Sequence, residues 1–189
     1  MKAKTIRIGV ALALLMLAGR SDMAAAQGVQ SPAAAPALGP QWRVLIGDWA
    51  GEGGGQPGSA TGRTSFRYEA GERAIIRRNH ADVAASAGRP ASVHEDLLTI
   101  YAGPKNGEAR AVYVDNEDHV IQYTAVWSPD GKTLTFVSDA VAGAPRFRMV
   151  YRIQSPDRHV LDFEIAPPGA PDVFKLYVTG ALTRTASSR

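Results

Sequence analysis

The 189-residue chain contains no cysteine, which excludes disulfides, thiolate-bound zinc and thiol catalysis together. It also lacks an apolar run of the roughly 20 residues that a membrane-spanning helix needs; the stretch from Ile8 to Gly19 is too short. Helical periodicity is missing after Ile46, where no apolar pattern at 3.6-residue spacing persists beyond a turn or two. No serine occupies a Gly-x-Ser-x-Gly elbow or stands beside an evident base, so nucleophilic hydrolysis has no local support. The glycine run Gly51–Gly55 lacks the Lys-Ser/Thr ending of a phosphate loop and is not followed by a helix pattern.

The N-terminus explains much of the charge. Lys2, Lys4 and Arg7 precede the apolar run, and Ala24-Ala25-Ala26 follows it. A basic start, a short apolar middle and a small-x-small site predict a signal peptide over 1–26, cleaved after Ala26. Leu15-Met16-Leu17-Ala18-Gly19-Arg20 resembles a lipoprotein box with arginine in place of the lipid-accepting cysteine, so no lipid anchor is expected. Lys2, Lys4, Arg7 and Arg20 are four of the 21 basic residues and Asp22 is one of the 18 acidic ones. Cleavage would therefore leave 17 of each and a net charge of zero. With its excess charge confined to the export signal, the chain has no case for nucleic-acid binding, which demands a concentrated basic surface. The expected location is the periplasm or the exterior of a bacterial cell.

Residues 27–40, rich in Ala, Pro, Ser and Gly, predict a disordered tether. Trp42, Leu45 and Ile46 are spaced for one amphipathic turn that would pack on a barrel mouth. From there the period changes to two. Phe66 and Tyr68 alternate with Ser65, Arg67 and Glu69; Ile121, Tyr123, Ala125 and Trp127 share a side; Phe147, Met149, Tyr151 and Ile153 alternate with Arg146, Arg148 and Arg152. Leu161, Phe163 and Ile165 continue the pattern, then Phe174, Leu176 and Val178. Only Arg73–Val83 is ambiguous, because Ile75-Ile76 interrupts the alternation. Ser128-Pro129-Asp130-Gly131 is a hairpin signal, since Pro presets φ and Asp-Gly tolerates positive φ. About ten short strands joined by short turns predict an antiparallel meander. Such a sheet must pack on another or close, because long free edges aggregate. The prediction is an all-β, antiparallel up-and-down β-barrel over residues 41–185, with a short helical turn before it and a disordered tail at 186–189.

Gly47-x-Trp49-x-Gly51-x-Gly53-x-Gly55 resembles the first-strand signature of the calycin superfamily of lipocalins, fatty-acid-binding proteins and haem-binding nitrobindins. It is most similar to nitrobindins and to uncharacterised secreted bacterial calycin-like families, which also carry tails like Pro145-Arg146-Phe147-Arg148-x-x-Tyr151-Arg152. The resemblance covers roughly Gln41 to Thr185 and implies a barrel with an interior ligand. In this setting Trp49 would plug one end, its indole N–H reaching a carbonyl or a neighbouring polar group, and the alternate glycines would permit sharp coiling and the close approach of a neighbour or ligand. Nitrobindins bind haem through a histidine near the C-terminus. Here Tyr177–Arg184 contains none and none follows His159, so no cofactor is expected.

No pair among His80, His94, His119 and His159 has the i, i+2 or i, i+4 spacing that chelates a metal from one element, and no metal site is expected. His94 and Asp96 share a strand face and are the candidate acid/base pair. Asp115-Asn116-Glu117-Asp118 lacks the spacing and glycine of a calcium loop and reads as a solvated hairpin. Arg146, Arg148 and Arg152 read as an outer stripe paired with Asp162 and Glu164, whereas Arg78, beside Ile76 and His80, is the candidate inward arginine for an anion. The aromatic set Phe66, Tyr68, Tyr123, Trp127, Phe136, Phe147 and Tyr151 would line or fill the interior, with Trp49 at one end. Three functions follow from such an interior. The first is binding of a small apolar or amphipathic molecule. The second is an isomerase or hydrolase acting on a lipid-like substrate through His94 and Asp96, and the third is a filled barrel that serves structure or partner binding.

Overall fold

The computed structural model describes residues 37–55, 60–105 and 108–186. The expected signal peptide, the tether as far as residue 36 and residues 187–189 of the tail lie outside the described residues, as does 106–107 of one turn. A 3-10 turn, Pro40–Leu45, leads into β1 (Gly47–Gly55), β2 (Ala60–Glu69), β3 (Ala74–Val83), β4 (Ser92–Ala102) and β5 (Glu108–Asp115). There follow β6 (Val120–Trp127), β7 (Thr133–Ser138), β8 (Arg146–Ser155), β9 (Arg158–Ala166) and β10 (Lys175–Arg184). Each strand pairs antiparallel with its neighbours in sequence, and β10 returns to pair with β1, closing the sheet into an up-and-down barrel.

Alternation decides which side chains enter. In β7, Leu134, Phe136 and Ser138 are buried while Thr133, Thr135 and Val137 are only half-buried. The same period buries Met149 and Tyr151 in β8, and leaves Arg148 and Arg152 outside to meet Glu164 and Asp162 of β9. At the Ser128–Gly131 turn the Asp130 carboxylate accepts the Lys132 backbone N–H at 3.0 Å and Gly131 takes φ 67°. The last strand departs from simple alternation. A bulge between Leu176 and Val178 opposes Leu176 to outward Glu164 and Val178 to inward Phe163, so Leu176 is exposed rather than part of the apolar face.

One end of the barrel is sealed. Trp42 and Leu45 from the 3-10 turn are buried across it, with Trp42 edge-on to Trp127 and Phe136 at 5.6 and 6.3 Å. Trp49 closes the same end, donating its indole N–H to the Leu45 carbonyl at 2.8 Å. Arg184, at the end of β10, lies over the Trp49 ring at 4.2 Å and donates to the carbonyls of Ile46 and Val44 at 2.6 and 3.0 Å. The turn that begins the domain is thereby tied to the strand that ends it. Above this plug, Phe66, Ile75, Leu98, Ile100, Tyr123, Leu134, Phe136 and Tyr151 fill the interior, each about 1% exposed or less.

Closure needs close backbone contact where β1, β2, β3 and β10 bend. A Cβ on Gly62 of β2 would meet the His80 carbonyl oxygen of β3 at 2.2 Å, and one on Gly53 would meet the Thr179 carbonyl oxygen at 2.9 Å. These are backbone atoms of paired strands and cannot step aside. By contrast, among the described residues nothing lies within 4 Å of a Cβ on Gly54. Gly62→Ala is expected to cost about 2–3 kcal/mol through overpacking, against less than about 1 kcal/mol for Gly54→Ala. Urea unfolding of the two variants measures the difference.

Candidate functional site

The interior changes character toward the end opposite the plug. Ile75, Arg77 and Asn79 point inward from β3, and the paired β4 residues Ile100, Leu98 and Asp96 face them. Arg77 is 4% exposed and Asp96 8%. The Arg77 guanidinium forms an ion pair with Asp96 and donates across the barrel to the Tyr151 hydroxyl of β8 at 2.8 Å. The other Asp96 oxygen accepts from the Asn79 amide at 2.9 Å. Burial opposes the charge on both partners, yet each is held by the other: Arg77 above its usual range, with help from Tyr151, and Asp96 below the usual carboxylate range.

From Asp96 a chain of polar contacts runs to the rim. His94 Nε2 lies 3.4 Å from Asp96 Oδ2 and 3.0 Å from the Tyr113 hydroxyl, while Nδ1 lies 3.1 Å from Glu117 Oε1. Tyr113 donates to Asp115 Oδ2 at 3.1 Å, and His119 Nδ1 contacts the same oxygen at 2.9 Å. Asp115 Oδ1 accepts the backbone N–H groups of Glu117 and His119, both at 2.9 Å. The hydrogen bond to Asp96 raises the His94 pKa to about 8 against the opposing effect of burial, with Glu117 adding to the rise. His94 is accordingly an imidazolium at neutral pH. Burial, and after it Asp96, pushes the Tyr113 hydroxyl well above its ordinary value, so it stays a hydrogen-bond donor.

The opposite wall is aromatic. Phe147 of β8 and Phe163 of β9 stack with ring centroids 5.9 Å apart and planes 10° apart, and Tyr177 at the β10 bulge meets Phe163 edge-on at 6.3 Å. These rings are half-buried, unlike the aromatics nearer the plug.

The expected site residues therefore fall into three groups. His94 and Asp96 are brought together on one inward face, as the sequence spacing implied. Trp49, Phe66, Tyr123 and Tyr151 are sealed in the filled core, Tyr68 is half-buried near the plug, and Trp127 packs on Trp42; of the expected ligand-contacting set only Phe147 stands at the opposite mouth. Arg78 is a correction. It is exposed on the outer wall, where it borders a groove of about 860 Å³ with Arg63, Ser65 and Leu97, and the inward arginine is Arg77. The Ile75-Ile76 ambiguity hid this. Ile75 opposes Ile100 in the core and sets the register, and a binary pattern cannot place an inward charge whose partner is on another strand. Arg77, Asn79, Tyr113, Asp115, Glu117, His119, Phe163 and Tyr177 went unmarked as site residues. For Tyr113, its alternation with buried Ala109 and Ala111 was an available signal.

His159 sits inside the plugged end, 1% exposed, with its ring 4.2 Å from that of Trp49. Among the described residues its Nε2 has no hydrogen-bond partner. It opposes Leu182 on the inward face. Haem of the nitrobindin type does not fit these residues. The inward positions of β10 are Val178, Gly180 and Leu182, and His159 is covered by the indole.

In fold the chain is similar to Rv2717c from M. tuberculosis, with a TM-score of 0.58 at 14% identity, covering 79% of this chain and 99% of that one. That likeness is one of barrel architecture alone. Other solved structures match at lower TM-scores, among them these two. One is a de novo fluorescence-activating β-barrel (TM-score 0.42, 13% identity, 78% of this chain and 100% of that one). The other is EF1p2_mFAP2b bound to DFHBI (TM-score 0.40, 10% identity, 76% of this chain and 95% of that one). No protein-family model and no curated protein sequence matches the chain.

Two measurements follow from this interior. Arg77→Met leaves Asp96 buried without its guanidinium and is expected to cost about 3–5 kcal/mol in urea unfolding, a loss that Arg77→Met/Asp96→Asn partly restores. Burial, and after it Arg184, lowers the His159 pKa to about 4, below the ordinary 6.5. The neutral imidazole thus contributes stability that is complete above about pH 6.5 and is lost as pH falls toward 4. His159→Leu is expected to lose up to about 3 kcal/mol less than the wild type between pH 7 and 4, read as the difference between the two stability profiles.

Proposed function

We propose that this protein is an exported, calycin-like barrel that binds a small amphipathic molecule at the end opposite its plug. The carrying observation is the division of the interior. Near the plug the side chains pack solidly, whereas at the far end inward side chains are half-buried, with an aromatic wall facing a hydrogen-bonding one. Phe147 and Phe163 offer apolar faces to the body of a ligand, and Asn79, His94 and Tyr113 offer polar atoms to its head. Ligand sites of this kind combine an apolar lining with a few fixed polar groups. The Gly47–Gly55 signature and the basic, apolar, small-residue order of residues 1–26 support the calycin likeness and the export.

The His94–Asp96 contact favours a second reading, in which the mouth performs proton transfer on a lipid-like substrate. A histidine titrating near 8 and oriented by a buried carboxylate is suited to act as a general acid at neutral pH.

Native mass spectrometry of the protein purified from a bacterial periplasm tests the proposal. The expected result is a chain beginning at Gln27 that carries a small-molecule adduct, with the adduct reduced at least tenfold in Phe147→Ala/Phe163→Ala. A chain retaining residues 1–26 would defeat the export reading. Absence of any adduct, together with unchanged thermal stability across a panel of fatty acids and aromatic amphiphiles, would leave the filled, structural barrel instead. Turnover of a bound substrate that is lost in His94→Gln while binding persists would select the enzyme.

A further inference from the structure

The β5–β6 hairpin is fastened over β4 in a way the barrel itself does not require. Asn116 is the clamp: its amide donates to the Val93 carbonyl, its side-chain oxygen accepts the Glu95 N–H, and its own backbone N–H reaches the Glu95 carbonyl, all at 3.0 Å. Asp118 completes the hairpin at φ 67°, a left-handed conformation rare for a residue with a side chain. Together these features hold Glu117 against His94 and place Asp115 beside both. One ligand-type atom from each of the three residues lies within 4.8 Å of the others.

We propose that His94, Asp115 and Glu117 form a binding site for a divalent first-row transition ion of the zinc class. The donor set is nitrogen and carboxylate oxygen, which suits zinc, cobalt or nickel better than the all-oxygen shells of calcium and magnesium. Metal bonds of about 2.0–2.2 Å to tetrahedrally placed donors separate those donors by about 3.3 Å. His94 Nδ1 and Glu117 Oε1 are already 3.1 Å apart, and an ion between them takes the place of a bridging proton. The remaining contraction falls to the Glu117 side chain, which is 56% exposed.

What surrounds these donors is the arrangement that supports metal-binding histidines elsewhere. When Nδ1 holds the ion, the other nitrogen of His94 donates toward Asp96, itself locked by Arg77 and Asn79. A carboxylate behind a ligating imidazole fixes its tautomer and increases its basicity. Tyr113 orients Asp115 in the same manner. Binding displaces the proton on His94 Nδ1, so affinity rises with pH. Sequence spacing concealed the site because His94 comes from β4 whereas Asp115 and Glu117 come from the end of β5 and the turn after it, and the register that joins them is β4 to β5, with Asp96 opposite Asp115.

His94 is shared with the polar wall of the proposed ligand site, but the zinc titration needs no organic ligand and the adduct test rests on Phe147 and Phe163, so the two proposals fail separately. The test is titration of tag-free mature protein, stripped with a chelator, against zinc in competition with a chromophoric chelator. A parallel titration with cobalt reads the visible absorption of the bound ion. One equivalent is expected at micromolar affinity or tighter, with no competition from millimolar calcium or magnesium. Glu117→Gln, an exposed change that spares the fold, and His94→Gln should each weaken binding at least tenfold. Asp96→Asn should weaken it about tenfold and shift the cobalt spectrum while zinc stoichiometry is retained. A second cluster, His80 with Glu95 and Asp82, supplies the control. Binding that survives His94→Gln but is lost in His80→Gln overturns the assignment, as does the absence of stoichiometric zinc at about 100 μM.

Discussion

Strand β10 pairs with β1 from Trp49 opposite Arg184 to Gly55 opposite Val178, and the remaining architecture depends on that seam. It removes both edges of a ten-stranded sheet whose unpaired backbone would otherwise invite association. Closing there requires backbones to approach without side chains between them, which is why Gly53 lies opposite Gly180 and Gly62 opposite Gly51 and Ala81. The seam is reinforced at its plugged end. Arg184 leaves the last strand, covers Trp49 of the first and satisfies the carbonyls of the 3-10 turn. One guanidinium therefore joins the beginning, the end and the plug, and a cation over an indole face adds to the hydrogen bonds it makes.

Because the plug shuts one end, the barrel distributes its polarity along its axis. Aliphatic and aromatic packing fills the half next to Trp42 and Trp49. Farther up, the Arg77–Asp96 pair introduces charge into the interior, where desolvation would be costly without the additional bonds from Tyr151 and Asn79. That pair is the foundation of the polar wall. Asp96 holds His94, His94 meets Tyr113 and Glu117, and Tyr113 meets Asp115. Arg77 is thus joined to the rim by a continuous chain of polar contacts, although it faces Tyr151 in the centre of the barrel.

The fold was legible because its signals are local. Alternation of Leu134 and Phe136, or of Met149 and Tyr151, reports the inward face without knowledge of any partner. The Asp130-Gly131 turn and the tryptophan among glycines in β1 are equally local, and Trp49 reaches a carbonyl as its position predicted. His94 and Asp96 were legible as a pair for the same reason, being two residues apart on one strand. Local pattern failed where chemistry overrides it. Arg77 occupies a core position that hydrophobicity would assign to an apolar side chain, and the bulge at Tyr177 turns Leu176 outward against the run.

By itself the sequence determined the class of container: an antiparallel barrel, its strand order, its hairpins and the tryptophan that stops one end. Those depend on backbone geometry and on a two-residue period that each strand carries independently. Only the tertiary structure decided what the interior presents. It set Ile75 rather than Ile76 inward, brought Asp115 opposite Asp96, laid Glu117 on His94 and sealed His159 beneath Trp49. Each of these joins residues of different strands through register, a property of pairs of strands that no single strand encodes.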